Sequence, residues 1–228
     1  NALLTNTTAS ENTAVGSQAL DANTTGTPNT AVGYNSLTTN TEGGSNTALG
    51  KSALQNNSTA SHNTAVGNNC LLSNTTGTNN TAVGSLALDA NTTANNNTAV
   101  GRSALSANTT GTQNVAVGSL ALDANTTGHF NVGIGTNALG QNTTGQQNVG
   151  IGDNCLSANT EGIANTAIGQ SALGTNTTSS NNTAIGHDAL LLGTGGNNTA
   201  VGANACDAQT TAGNVTAVGY NALGSNTT

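Results

Sequence analysis

The strongest constraint on the fold of this chain is a 17-residue repeat. The pentapeptide Asn-Thr-Ala-Val-Gly begins at Asn12 and returns, with small changes, at residues 29, 46, 63, 80, 97, 114, 131, 148, 165, 182, 198 and 215. Every copy follows the previous one at this period, except for a 16-residue interval between Asn182 and Asn198. Periods in this range are typical of solenoids, whose units bury their apolar faces against their neighbours. We therefore expect residues 1–228 to form a single array of about 13 coils, as an excerpt of a longer protein.

Each position of the repeat has a recognisable chemistry. The consensus reads N-T-A-V-G-x-x-A-L-x-x-N-T-T-G-x-x, and its residues are numbered below as repeat positions 1 to 17. Position 5 is Gly in all 13 copies, among them Gly16, Gly33, Gly84, Gly135 and Gly186. Such uniformity within one chain predicts a backbone conformation, or a close approach of two backbones, that a Cβ atom would forbid.

Two positions carry the large aliphatic side chains. Position 4 is always Val, Leu or Ile, and position 9 is Leu in 13 of 14 copies. These positions are predicted to form the core, with members Val15, Val83, Ile134, Leu20, Leu88 and Leu139. Because side chains alternate along a strand, Thr-Ala-Val predicts a short strand whose positions 2 and 4 share a face. Position 3 is only Ala or Gly, which predicts that the other face meets a neighbouring subunit closely, through Ala14, Ala82 and Ala99.

The rest of the repeat predicts a second strand and a turn. Ala-Leu at positions 8 and 9 is expected to begin the second strand, and Asn-Thr-Thr-Gly to make the turn that follows. Thr, Asn and Gly are poor helix formers, and no run of residues has the helical period. The predicted fold is all-β, a parallel β-solenoid with two short strands per coil. At about 4.8 Å per coil, the array would be a rod on the order of 60 Å long.

Composition indicates that one chain has little material for a core. Gly, Asn and Thr supply 111 of the 228 residues, whereas the chain has one Phe, two Tyr, and no Trp or Met. Burying a second face against partner copies would compensate for this shortage, and cyclic symmetry is the usual arrangement.

The units N-T-A-V-G and N-V-G-I-G, each followed three residues later by Ala-Leu or a close equivalent, resemble the head repeats of YadA-type trimeric autotransporter adhesins. The resemblance covers nearly the whole chain, although the family's repeats are shorter. It implies a left-handed β-roll, association of three copies around an axis, and an extracellular place on a cell or virion surface. The 17-residue variety is also similar to phage tail-fibre-like and bacterial surface repeat proteins. Host glycans or surface proteins would then be ligands, and end-to-end stacking of copies a further possibility.

Other classes of function are disfavoured. The formal charge is −7 and the only bases are Lys51 and Arg102, which argues against binding to nucleic acid or to an anionic membrane. The apolar runs are far too short to span a bilayer. His62, His129 and His187 fall in different coils and at different repeat positions, and Asp residues alternate with Ser, Asn and Gly. We therefore expect no catalysis, no cofactor and no metal site.

The three cysteines follow the repeat as well. Cys70 and Cys155 occupy position 8, where Ala is usual, and Cys206 occupies position 9, where Leu is usual. Free cysteine behaves as a small buried hydrophobe, which is the interpretation favoured here.

The sequence thus predicts a structural or adhesive surface rod for attachment and spacing. One alternative is a self-assembling extracellular filament that has no ligand. Another is an ice-binding solenoid, because rows of Thr can organise water; against it, Thr13 and its equivalents are expected to face inward with Val.

Overall fold

Each copy of Thr-Ala-Val, or of its Val-Gly-Ile equivalent, forms a strand of three or four residues. The computed structural model describes residues 1–225, in which every regular element is a strand and no helix occurs. The chain is a parallel β-solenoid with 17-residue coils, and it divides into two compact units at Gln113 and Asn114. The first unit contains β1 (Thr13–Val15), β2 (Asn29–Val32), β3 (Asn46–Leu49), β4 (Thr64–Val66), β5 (Thr81–Val83) and β6 (Thr98–Val100). The second contains β7 (Val115–Val117), β8 (Val132–Ile134), β9 (Val149–Ile151), β10 (Thr166–Ile168), β11 (Thr183–Ile185), β12 (Thr199–Val201) and β13 (Thr216–Val218).

Within each unit, consecutive strands pair in parallel and in register. Thr13 pairs with Thr30 in the first unit, and Thr166 pairs with Thr183 in the second. The 16-residue coil keeps this register, because Thr183 pairs with Thr199. Equivalent repeat positions therefore lie directly above one another, and each position becomes a row of similar side chains along its unit.

The predicted second strand is wrong. Positions 6 to 11 form turns, and residues with left-handed backbone recur at positions 7, 9 and 17, as in Gln18 (φ 62°), Leu20 (φ 50°) and Glu11 (φ 61°). A left-handed leucine costs about 1–2 kcal/mol. The coil compensates because the Leu20 N–H donates to the Ser36 carbonyl of the next coil at 3.1 Å, while the side chain is fully buried.

The interior is lined by positions 3, 8 and 9. Leu20, Leu88 and Leu139 are fully buried, as predicted. Ala82 and Ala99 are fully buried as well, by their own chain. Small side chains from the strand thus pack against the Leu row on the opposite side of the coil.

The two faces of the strand are therefore reversed from the prediction. Val15 and Ile134, expected in the core, are 57% and 37% exposed, and Val83 is half-buried. Ala82 and Ala99 do not face a neighbouring subunit, and Ala14 of the first strand is half-buried on the same inner side. The physical reason is space: a Cβ added to Gly133 would lie 3.2 Å from Leu122 Cγ. The leucine row fills the coil, so only Ala or Gly fits opposite.

Candidate functional site: the outer strand face

Positions 2 and 4 of every strand point away from the interior, and their side chains are called the outer strand face below. In β1–β6 of the first unit, position 2 is always Thr and position 4 is Val or Leu. In β7–β13 of the second unit, position 2 begins with Val115, Val132 and Val149 and continues with Thr, while position 4 is Val or Ile. No charged residue occupies either position. Leu49 is 47% exposed, and Ile168 and Ile185 are each 37% exposed.

The geometry of this face is regular within each unit. Strands in a sheet lie about 4.8 Å apart, and alternate residues along a strand are separated by about 6.6 Å. Positions 2 and 4 therefore form a two-column grid, in which every coil adds one side chain to each column. The arrangement presents a repetitive, uncharged and largely aliphatic surface.

The invariant Gly at position 5 ends each strand, and it has both the special backbone conformation and the close approach that its uniformity predicts. Gly16, Gly33, Gly84, Gly135 and Gly186 have φ values from 127° to 140°, a region that side chains rarely adopt. A Cβ on Gly84 would lie 2.4 Å from the Gly101 carbonyl oxygen of the next coil. The backbone turns away from the face at this point, and only glycine permits the coils to stack so closely.

Two rows of buried asparagines hold the regular coils closed, and the sequence interpretation did not place them in the interior. In the second coil, Asn29 Nδ2 and Asn40 Nδ2 donate to the same Gly43 carbonyl, at 2.8 and 2.9 Å. Asn40 Nδ2 also donates to Asn23 Oδ1 of the preceding coil at 2.9 Å. The Asn46 N–H of the next coil donates to Asn29 Oδ1 at 3.0 Å. Positions 1 and 12 are thus interior polar rows in which amide donors and acceptors are both used.

A sequence signal for these rows existed. Position 1 is Asn in 12 of 13 copies, whereas an exposed turn would also accept Ser, Asp or Gly. The Asn amide carries two N–H donors and a carbonyl acceptor, whereas an ionised Asp offers only acceptors and the Gly side chain offers neither. The threonine hydroxyls of position 13 also form hydrogen bonds to the next coil, since Thr24 Oγ1 donates to the Thr41 carbonyl at 3.0 Å. The exposed hydroxyls of the turn are those of position 14, such as Thr127.

The titratable and nucleophilic groups do not assemble into a reactive centre among the described residues. Cys70 and Cys155 are fully buried, and their thiols donate to the Ala82 and Ala167 carbonyls at 3.1 and 3.0 Å. Burial raises the pKa of both thiols to about 12, which disfavours the nucleophilic thiolate. His187 Nδ1 lies 3.2 Å from Asp188 Oδ2 on the surface, apart from the other two histidines of the sequence.

The rest of the surface supports the same description. Within residues 1–225 there is no group of three or more His, Cys, Asp or Glu side chains that could hold a metal ion. No pocket is found among the same residues. A search for membrane-spanning helices in this part of the chain finds none. The outer strand face is therefore the most distinctive surface that this structure offers.

Comparison with protein-family models, with curated proteins and with solved structures finds no match to this chain.

Proposed function

We propose that this chain is a structural and adhesive segment of an extracellular fibre, without catalytic activity, which assembles through its outer strand face. The observation that carries the proposal is the exposed grid of uncharged, mostly aliphatic side chains at positions 2 and 4. Three copies around a common axis are the proposed assembly, as the resemblance to adhesin heads implies. The left-handed winding of the coil belongs to the same proposal.

The apolar character of the face supports self-association. Leu49, Ile134, Ile168 and Ile185 each leave more than a third of their surface in water in the single chain. Contiguous apolar patches of this kind mark interaction sites in many proteins, because their burial is favourable. An identical copy is the natural partner: its side chains repeat at the same spacing, so the two surfaces match coil for coil. Cyclic symmetry gives each copy an equivalent contact and closes the assembly.

The proposed adhesive surface lies at the turns, away from the outer strand face. Position 14 presents exposed Thr in most coils and Glu at Glu42 and Glu161, so polar groups recur at nearly every turn. Individually weak contacts with host glycans or surface proteins would add up when many coils engage one surface. A place on a cell or virion surface, and end-to-end stacking of copies, follow from the same interpretation.

Paired substitutions on two surfaces test the assembly. Ile168→Asp with Ile185→Asp places charge on the outer strand face, where burial against a partner would strongly disfavour it. Thr127→Asp is the matched control, because position 14 naturally carries Glu161. Sedimentation velocity should show dissociation of the face variant and an unchanged species for the control. The proposal would be contradicted if the natural chain, the double variant and the control all sediment equally while circular dichroism shows that the double variant is folded.

Ligand binding separates the adhesin from the filament alternative. A glycan array probed with the natural chain should give saturable binding if the polar turns contact sugars. The absence of binding to any glycan on the array, together with intact assembly, would favour a filament that has no ligand.

Ice binding is a second candidate, because the structure removes the objection made from the sequence. Thr13, Thr30 and Thr47 face outward, and each is followed two residues later by Val or Leu in the exposed grid. A flat array of Thr and Val at regular spacing can order water. Thermal hysteresis in a freezing assay by a monomeric chain would favour this candidate over the assembled fibre. A trimer without thermal hysteresis would eliminate it.

A further inference from the structure

The row of buried asparagines at position 12 departs from Asn twice in the second unit, at Gly193 and at Gln209, and only Gly193 lacks a side-chain amide. Position 12 is Asn125, Asn142, Asn159 and Asn176 in successive coils, but Gly193 in the coil that begins at Asn182. This is also the 16-residue coil. Its backbone shows which residue is lacking. The Gly193 N–H donates to Leu190 O at 3.0 Å, as position 12 does elsewhere, and the Thr194 N–H donates to Thr210 O, as position 13 does. Position 14 is therefore the one deleted, and Gly195 serves as position 15.

A regular coil shows what the missing amide would do. In the coil of Asn148, Asn159 Nδ2 donates to Asn142 Oδ1 of the preceding coil at 2.8 Å, and to the Gly162 carbonyl of its own coil at 3.2 Å. One NH₂ group thus bridges two buried acceptors. The same bridge recurs for Asn142, where the two distances are 2.9 and 3.1 Å.

At Gly193 both acceptors lack this amide. Asn176 is fully buried, and its Oδ1 has no hydrogen-bond partner. Gly195 is buried too, and no Asn amide of the described residues donates to its carbonyl. The position 1 residue of this coil, Asn182, directs its Nδ2 to Asn165 Oδ1 at 3.2 Å instead. A buried acceptor without a donor is unfavourable, and a bound donor would remove that penalty.

We propose that a single water molecule binds at the place of the missing amide nitrogen and donates its two hydrogens to Asn176 Oδ1 and Gly195 O. Water is the ligand that fits, because it carries two donors at the angle that the NH₂ group spans in the other coils. A buried water needs two to four polar partners, and this site supplies two acceptors. A cation does not fit, since Na⁺, K⁺ or Ca²⁺ would require about six oxygen ligands and these two are neutral. The proposal is independent of the function proposed above.

Oxygen-17 relaxation dispersion of the solvent tests the site, because its amplitude counts waters that stay bound longer than the protein tumbles. The full natural chain is compared with a chain in which the coil is restored to the regular repeat length, by Gly193→Asn and insertion of Thr after Thr194. A Cβ at residue 193 would lie 2.6 Å from Leu190 Cγ in the 16-residue coil, so the inserted residue is needed to make room for the amide. With the amide in the site, the amplitude should fall by one water molecule per chain. Equal amplitudes in two chains that are both folded by circular dichroism would overturn the proposal.

A second variant tests the same geometry by creating a water site in place of removing one. Asn159→Gly removes the bridging amide from a coil of regular length, which leaves Asn142 Oδ1 without a donor and Gly162 O with only Asn148 Nδ2. The amplitude should rise by one water molecule per chain. Thr144→Ser, a change at an exposed turn position of the neighbouring coil, is the control and should leave the amplitude unchanged. A folded Asn159→Gly chain without the increase would contradict the proposal.

Discussion

At the scale of single residues, the size of the side chain at position 3 decides which face of each strand lies inside. Ala82 is fully buried opposite the leucine row, while its neighbour Val83 lies on the outer strand face and is half-buried. The two residues are adjacent in one strand, and both are small and aliphatic. Only the inner residue, Ala82, is limited in size by the distance between the strand and the leucine row.

Lengthening these two side chains should have opposite consequences. Ala82→Leu adds three carbon atoms to a filled interior, and overpacking of this extent costs about 3 kcal/mol or more. Val83→Leu extends into the outer grid, where Leu49 already occupies the equivalent position, and should cost less than about 1.5 kcal/mol. Urea titrations followed by circular dichroism give the free energy of unfolding of each variant. A larger loss for Val83→Leu would show that the faces are assigned the wrong way round.

This reversal shows the limit of what residue patterns could predict. The alternation of Thr-Ala-Val correctly separates positions 2 and 4 from position 3, and the period correctly identifies Leu20 and its equivalents as core. The pattern does not say which side is inside, because both sides carry aliphatic residues and the larger ones were taken for the core. The leucine row decides, and its inward reach depends on a left-handed backbone at position 9 that leucine ordinarily avoids.

The buried thiols make stability depend on alkaline pH. Burial raises the pKa of Cys70 and Cys155 from 9.0 to about 12, so the folded chain favours the protonated thiols. Their contribution to stability is fully present below pH 9 and is lost as the pH rises towards 12, because the unfolded chain ionises first.

A comparison with alanine variants isolates this effect. Between pH 8 and pH 10 the free energy of unfolding should fall by about 1.4 kcal/mol for each thiol. Cys70→Ala with Cys155→Ala restores the usual residue of position 8 and should abolish that part of the loss. Urea titrations at the two pH values measure the difference. An equal loss in the natural chain and the double variant would mean that the thiols are not buried as described.

At the scale of the coil, hydrogen bonds of the asparagine amides contribute stability that a larger hydrophobic core contributes in other folds. The strand supplies only three or four residues of ladder in each coil, and the remaining residues form turns. The rows at positions 1 and 12 connect these turns to one another and satisfy the buried carbonyl at position 15. The sequence interpretation assigned the position 12 asparagines to a turn and gave those at position 1 no separate role, because Asn is common in exposed turns and nothing in one repeat reveals what stacks above it.

Removing one amide should therefore be costly. Asn57 Nδ2 donates to Asn40 Oδ1 and to Ala60 O, both at 2.9 Å, and Asn57 Oδ1 accepts from Asn74 Nδ2 at 2.9 Å. Asn57→Ala removes all three hydrogen bonds and leaves the buried Asn40 Oδ1 without a donor, at about 1–3 kcal/mol for that acceptor. Ala60 O keeps Asn46 Nδ2 as a donor, and Asn74 Nδ2 keeps Gly77 O as an acceptor.

The matched control is Thr59→Ala, which alters an exposed side chain two residues away and should change stability by less than about 0.5 kcal/mol. The midpoint of urea unfolding should fall clearly for Asn57→Ala and stay in place for Thr59→Ala. Similar midpoints for the two variants would show that the amide row contributes little.

At the scale of the whole molecule, the same repeat accounts for both the interior and the outer strand face. Nearly every coil adds one Leu and two small residues inside, and most coils add a Thr and an aliphatic residue outside. The sequence led to the expectation of partner copies from its shortage of core residues, and the structure identifies an exposed apolar surface that such copies could cover. The proposed contact therefore moves from position 3 to positions 2 and 4.

The molar mass of the natural chain in solution tests this central claim most directly. Light scattering coupled to size exclusion should give three times the chain mass of 22.0 kDa, and the mass should persist on dilution. The outer strand face would then be shielded from solvent in the assembled molecule. A folded, stable species of 22.0 kDa would contradict the account, because the exposed grid would have no partner copy to cover it.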